Sequence, residues 1–156
     1  MNENKNSRQG GYDILYAEKT DIIEWMNLVD IVKDDFPGLI KEEYEKILLA
    51  NIEAGTALCA KDNDKIIGVL LFSVKENTLS FLAVHPEYRG MGVAAALISN
   101  MVKKFPKDSS IWVTTYREGD VKGEAARILY KKCGFEEDEL IEEFNYPCQK
   151  FVLHVI

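Results

Sequence analysis

Between Leu79 and Phe105 the chain changes its hydrophobic period once. Leu79 to Val84 is apolar apart from Ser80 and is followed by Pro86, which has no N–H to give to a ladder, so a strand is expected to end near His85. From Gly92 onward, Val93, Ala94, Leu97, Ile98, Met101, Val102 and Phe105 form one apolar stripe, with Ser99, Asn100, Lys103 and Lys104 off it; this is an amphipathic helix. A helix start leaves its first N–H groups unpaired and positive. Here Gly90, Gly92, Ala94, Ala95 and Ala96 surround them, so an anion such as a phosphate can come close.

The rest of the chain is read the same way. Tyr12 to Ala17 alternates as a first strand, and Thr20 or Asp21 caps a helix with Ile22, Ile23, Met26, Val29, Ile31 and Val32 as core candidates. Pro37-Gly38 interrupts it. A second helix is expected over about Lys41 to Glu53, burying Tyr44, Ile47, Leu48 and Ile52, with Gly55 just past its end. Thr56–Lys61 and Lys65–Val74 read as a hairpin around Asp62-Asn63-Asp64, and Glu76-Asn77 connects it to the strand before the glycine turn. After Pro106 and Asp108, Ile111 to Tyr116 is a further strand, paired in parallel with the Thr78–His85 strand through a right-handed crossover. Arg117 to Gly123 is a polar loop. Ala125, Ala126, Ile128, Leu129 and Cys133 are expected to carry the buried side of a last helix that ends at Gly134, with Phe135 packing back. Leu140–Asn145 and Lys150–Val155 close the sheet, joined through Tyr146-Pro147-Cys148.

Composition narrows the class. A chain of 156 residues, 47% hydrophobic and 29% charged, suits one domain with a real core; residues 12–156 are expected to form it, after a flexible polar lead over residues 1–11. No apolar run approaches the roughly 20 residues of a membrane helix, and MNENKNSRQGGYD lacks the apolar segment of a secretory signal, so a cytoplasmic location and no membrane partner are expected. Cys59, Cys133 and Cys148 are widely spaced and form no C-x-x-C pair, and His85 and His154 are the only histidines. No metal site and no Ser-His-Asp triad are therefore expected. A net charge of −7 argues against sequence-independent nucleic-acid binding and is compatible with a cationic or amine substrate.

Arg89-Gly90-Met91-Gly92-Val93-Ala94 fits the pattern Arg/Gln-x-x-Gly-x-Gly/Ala, and Ala126-x-x-Leu129-Tyr130-x-x-x-Gly134-Phe135 fits A-x-x-L-Y-x-x-x-G-F. In this order, and with these elements between them, the two motifs resemble the GCN5-related N-acetyltransferases over most of residues 12–155. The resemblance implies a three-layer α+β fold: a mixed, mostly antiparallel sheet with a central parallel strand pair and about four helices. It implies acetyl-coenzyme A as co-substrate, with Leu82, Ala83 and Val84 along the pantetheine and Arg89, Gly90, Met91, Gly92, Val93, Ala94 and Ala95 around the pyrophosphate. Tyr130 would contact the cofactor beside its sulfur and be the acid toward the leaving thiolate. Backbone N–H groups near Val84, where the parallel strands splay, would hold the oxyanion.

Gly90-x-Gly92-x-x-Ala95 also matches a dinucleotide fingerprint. That reading fails because Pro86-Glu87-Tyr88-Arg89 separates the strand from the first glycine and because the strand Ile111–Tyr116 ends without an acidic ribose ligand. A nucleotide-triphosphate P-loop lacks its Gly-Lys-Ser/Thr. Two departures from the resembled pattern stand out. The carboxylate that many relatives carry in one of the two central strands is missing; Glu118, Asp120 and His85 lie nearby, and deprotonation through water is expected. Gly123 stands where many relatives have an asparagine seven residues before the tyrosine, so the loop is expected to approach the cofactor through backbone groups.

The expected reaction is direct transfer of acetyl to a primary amine of a small molecule or peptide. Phe36, Tyr44, Tyr116 and Tyr146 are wall candidates, and Asp34-Asp35 and Glu42-Glu43 could attract a cationic amine. A homodimer is compatible with the sequence. The rival reading is a non-catalytic module that binds acetyl-coenzyme A as a sensor or structural ligand.

Overall fold

The computed structural model describes residues 11–156. The lead expected over residues 1–11 lies, apart from Gly11, outside the described residues. Strands β1 (Asp13–Tyr16), β2 (Ala57–Asp62), β3 (Lys65–Ser73), β4 (Thr78–Val84), β5 (Ser110–Tyr116), β6 (Glu136–Glu143) and β7 (Tyr146–His154) form one sheet in the order β1-β2-β3-β4-β5-β7-β6. Helices α1 (Ile22–Val32) and α2 (Lys41–Ala54) cover one face; α3 (Val93–Val102) and α4 (Glu124–Lys132) cover the other. Among the described residues only β4 and β5 run parallel, as the crossover through α3 requires.

Two cores hold these layers. On one face Trp25, Leu28, Val29 and Val32 of α1 and Tyr44 and Leu48 of α2 pack on Cys59, Val69 and Leu71. On the other, Val93, Leu97, Ile98 and Met101 of α3 pack on Leu58, Leu70 and Phe72, and Tyr130 and Phe135 continue that core beneath α4. Burial of this kind contributes roughly 1.5–3 kcal/mol for each large apolar side chain. Gly68 on β3 lets α3 lie close: a β-carbon there would stand 2.6 Å from Val93 Cγ1 and 3.2 Å from Leu97 Cδ1.

Several expected core positions face solvent. On α1 Ile23 and Ile31 are exposed, and Trp25 and Leu28 are buried in their place. That helix is apolar almost all round, so its period leaves the buried arc undecided until β3 and α2 select it. Ile47 on α2 and Ala125 and Ile128 on α4 are likewise exposed. The buried side of α4 is Arg127 and Tyr130, with Ala126, Leu129 and Cys133 half-buried. Arg127 is buried through its partners: it donates to the Tyr116 carbonyl at 3.0 Å and to Gln149 Oε1 at 2.8 Å, and it is paired with Glu137.

The final hairpin is also longer than expected. Tyr146-Pro147-Cys148 belongs to β7, and the turn is Phe144-Asn145, with φ of 52° and 62° at the two residues. Positive φ at both central positions is the twist-matching geometry of a two-residue hairpin. Strand β6, EEDELIEE, is the sheet edge opposite β1 and carries six acidic residues, which hide its strand character in the sequence while discouraging edge-to-edge pairing.

Candidate active site

Strands β4 and β5 are in register at a single pair, Thr78 with Trp112, fastened by the Trp112 N–H to the Asn77 carbonyl at 2.9 Å. Beyond it they diverge. β4 stays on β3 through Val84, opposite Gly68, while β5 follows β7 through Tyr116, opposite Cys148. The His85 N–H donates to Ile67 on β3 at 2.8 Å. Since successive amides of a pleated strand point to opposite edges, the Val84 and Leu82 N–H groups point into the opening.

The glycine turn closes one end of this opening. Gly90 and Gly92 have φ of 79° and 80°, the left-handed region in which a side chain is strained. Among the described residues, no atom beyond its chain neighbours lies within 4 Å of where a Gly90 β-carbon would be. Gly92 caps α3 without a side-chain hydrogen bond, and the first intrahelical bond runs from the Ala96 N–H to the Gly92 carbonyl at 3.0 Å. That leaves the N–H groups of Val93, Ala94 and Ala95 without intrahelical acceptors. The donor set fits a pyrophosphate: clustered N–H groups, a helix dipole and no side chain in the way.

Not every residue expected here faces the opening. Leu82 and Val84 pack toward the α3 core, whereas Ala83 is buried on the α1–α2 face. Val93 is buried under the helix, Ala94 and Ala95 are half-buried, and Met91 is exposed. Arg89 Nε donates to the Val84 carbonyl at 3.2 Å, and its Nη2 lies 3.4 Å from Asp35 Oδ2, so it ties the turn to the segment linking α1 and α2.

Tyr130 projects from α4 on the α3 face, 6% exposed, its ring 5.6 Å from Phe135 and 6.0 Å from Phe151. Its hydroxyl has no hydrogen-bond partner among the described residues, and burial pushes its pKa well above the usual phenol value. The helix that carries it ends at Gly134, φ 99°, where the Phe135 N–H returns to the Tyr130 carbonyl at 2.9 Å. Arg127, one turn earlier, anchors the same helix to the end of β5; the sequence pattern hid it because a charged residue sits in an apolar stripe.

Gly123 has a steric reason. A β-carbon on it would stand 2.8 Å from Tyr116 Cβ, so no asparagine fits without movement of β5. The loop it ends is held by side chains: Arg117 donates to the Cys148 and Ile141 carbonyls, both at 3.1 Å, and the Tyr146 hydroxyl donates to Asp120 at 2.7 Å while accepting from Lys122 Nζ at 2.8 Å. Of the nearby titratable groups, Asp120 is engaged by Tyr146 and the Lys122 N–H, which hold it below the ordinary carboxylate range. His85 is buried, with Nδ1 accepting from the Glu87 N–H at 3.1 Å, and Glu118 is exposed.

A carboxylate from another strand does reach β5. Glu143 of β6 accepts a hydrogen bond from Thr114 Oγ1 of β5 at 2.9 Å. Nothing in the local sequence of either strand points to this contact, which depends on how the hairpin tip folds over the sheet. The aromatic wall candidates divide: Tyr116 and Tyr146 meet edge-on at 5.2 Å, whereas Tyr44 is a core residue whose hydroxyl accepts from Trp25 Nε1 at 2.9 Å. Phe36 packs 4.5 Å from Phe81. Among the described residues no helix is long and apolar enough to cross a membrane, and no group of three or more His, Cys, Asp or Glu could hold a metal ion.

The comparisons agree with this geometry. The chain is 21% identical to a GNAT-family acetyltransferase of Bacillus cereus ATCC 10987, at a TM-score of 0.75 over 94% of this chain and 99% of that one. It is 18% identical to the ribosomal-protein-S18-alanine N-acetyltransferase of Escherichia coli, at 0.73 over 92% and 94%. It is 21% identical to Arabidopsis thaliana Naa50 in complex with the bisubstrate analogue CoA-Ac-MVNAL, at 0.70 over 91% and 97%. At these identities the likeness is one of fold. In sequence it is 32% identical over 88 residues to the mouse cysteine-rich protein 2-binding protein, a match that covers 53% of this chain and 10% of that protein. The model of the acetyltransferase (GNAT) family matches residues 25–135, spanning both motifs and the opening between β4 and β5, and the chain belongs to that family.

Proposed function

We propose that this protein is an acetyl-coenzyme A-dependent N-acetyltransferase acting on a primary amine in a ternary complex. The observation that carries this is the single-register β4–β5 pair, which leaves β4 N–H groups unpaired on the strand that leads to the uncapped helix N-terminus at Gly92; Tyr130, whose hydroxyl has no hydrogen-bond partner among the described residues, belongs to the same α3-side core. Acetyl-coenzyme A, when bound, supplies the thioester. The N–H groups of Val93, Ala94 and Ala95 hold the pyrophosphate, with Gly90, Met91 and Gly92 shaping the turn; Arg89 adds positive charge, and the backbone of Leu82, Ala83 and Val84 runs along the pantetheine. The Val84 N–H, aimed into the opening, donates to the developing oxyanion, which needs no side chain. Tyr130 gives its proton to the departing thiolate.

A peptide or protein amine is the favoured acceptor. Two of the structurally similar enzymes bear names or ligands of that kind, and Tyr146, exposed beside Tyr116 on the face opposite Tyr130, offers an aromatic surface to an acceptor chain. The test is thiol release from acetyl-coenzyme A over a panel of free-N-terminus peptides, polyamines and small primary amines at pH 8. Release with one class supports the proposal and names the acceptor. Tight cofactor binding with no release on any amine would instead leave the protein a binding module.

A further inference from the structure

Glu143 combines partial burial with an unengaged oxygen, which its acidic neighbours do not; Glu118 is exposed. Asp120 is held by Tyr146 and the Lys122 N–H, Glu137 by Arg127 and Lys131, and Glu139 lies 3.6 Å from Lys150. Glu143 is half-buried, spends one oxygen on the Thr114 hydroxyl, and keeps the other without a hydrogen-bond partner or a cation in salt-bridge range among the described residues. A half-buried acid that lacks a cation is a natural receiver for one.

Its position follows from register. Ile111 and Val113 point into the α3 core, so Trp112, Thr114 and Tyr116 point to the opposite face. Glu143 pairs with Tyr146 across the hairpin turn, and Tyr146 meets Tyr116, which places all four side chains of Thr114, Tyr116, Glu143 and Tyr146 on that face. Thr114 lies two residues beyond Trp112, the last position in parallel register, and so stands where the strands begin to part. Tyr130 lies on the α3 side. An acid on one side of the opening and a base on the other is what attack and departure at one carbonyl carbon require.

We propose that Glu143, oriented by Thr114, is the carboxylate that takes the proton from the acceptor ammonium. This rests on the acetyl-transfer reading above. One proton passes from the ammonium to Glu143, directly or through one water, and then to solvent. The freed lone pair forms the C–N bond, the C–S bond breaks, and the thiolate takes the Tyr130 proton. The remaining surplus proton on nitrogen returns to the Tyr130 phenolate, so one proton is released per amide formed. The charged and titratable groups around Glu143 are Lys150, drawn toward Glu139 and the Trp112 ring; Arg117, whose guanidinium is spent on the Cys148 and Ile141 carbonyls; Asp120 and Lys122, joined through Tyr146; and Cys148, whose thiol is pushed up by burial and then by the Glu143 charge.

The test uses Glu143→Gln and Thr114→Val in the full chain, with spermidine, glycinamide and a free-N-terminus tetrapeptide as amine probes. Glu143→Gln is expected to lose at least about tenfold in kcat/KM at pH 7, with the deficit shrinking toward pH 10 as the amine sheds its own proton. Thr114→Val should show a smaller loss of the same pH form. Both should bind coenzyme A and melt as wild type does. In the wild-type complex with coenzyme A, the 13C carboxyl resonance of Glu143 should move when an accepted amine is added. An unchanged kcat/KM at pH 7, a loss equal at every pH, or a carboxyl resonance indifferent to the amine would overturn the assignment while leaving acetyl transfer intact. A wild-type protein that binds coenzyme A but acetylates none of the probes overturns the transfer reading, and this assignment with it.

Discussion

Gly68 on β3 lies directly beneath Val93 at the start of α3, so close that a β-carbon would stand 2.6 Å from Val93 Cγ1. Val93 is buried and β-branched, with one strongly preferred rotamer in a helix, so it has little room to turn aside. The closeness sets the height of α3 over the sheet and therefore where its free N–H groups point. Gly68→Ala is expected to cost about 1–3 kcal/mol from overpacking. Coenzyme A affinity should fall with it, and urea unfolding followed by calorimetry with coenzyme A separates the two effects.

At Gly92 the constraint is backbone, since the nearest atom to an added β-carbon is the Tyr12 hydroxyl at 4.0 Å, while φ is 80°. Gly92→Val should therefore cost on the order of 1–2 kcal/mol of strain and also lay a side chain across the anion donors. Coenzyme A should bind at least about tenfold more weakly. Unchanged affinity would remove the anion site from the account.

The Tyr130 hydroxyl has no partner to lose among the described residues. Tyr130→Phe should leave stability within about 0.5 kcal/mol and coenzyme A affinity unaltered, while kcat falls by about 10²-fold or more. A variant that transfers acetyl at the wild-type rate would show that Tyr130 only packs.

Arg127 is expected to be structural in a way its charge conceals. It is 6% exposed and joins the Tyr116 carbonyl, Gln149 and Glu137, with Phe151 4.9 Å from its guanidinium. Arg127→Met should destabilise by about 3 kcal/mol because the buried acceptors lose their donor. Arg127→Lys should recover only part of this, since an ammonium cannot span three acceptors as the planar fork does. Chemical denaturation of both variants is the measurement.

Burial pushes the Cys59 thiol up to about 12 from an ordinary 9.0. With the folded value raised, the unfolded chain loses its proton first, so stability is constant below about pH 9 and falls as pH rises toward 12. The loss by pH 11 should be roughly 3 kcal/mol from this group. Tyr44 and Tyr130, both raised by burial, add to the decline above pH 10. Cys59→Ala should flatten the pH 9–11 segment of a stability–pH curve; an unchanged slope would show that Cys59 does not titrate with unfolding.

The elements were legible where local chemistry and period agree. The strand before the glycine turn, the helix after it, the Gly55 and Gly134 helix stops and the parallel crossover follow from Pro, Gly and spacing alone, because backbone constraints act over a few residues. Both motif segments belong to this class, which is why the fold and the strand, glycine turn and uncapped helix start could be read from the chain. What tertiary structure decided is whatever depends on a neighbour distant in sequence. The buried arc of α1 was chosen by the sheet, not by its own nearly uniform apolarity. Arg127 could be buried because Gln149 and Glu137 meet it, and Gly123 is glycine because Tyr116 lies against it. The acidic edge strand β6 reads as solvated loop until β7 pairs with it, and only that pairing brings Glu143 to Thr114 across 29 residues of chain. A carboxylate absent from the two central strands in one dimension is present beside them in three, because side chains meet across strands whose order in the sheet is not their order in the sequence.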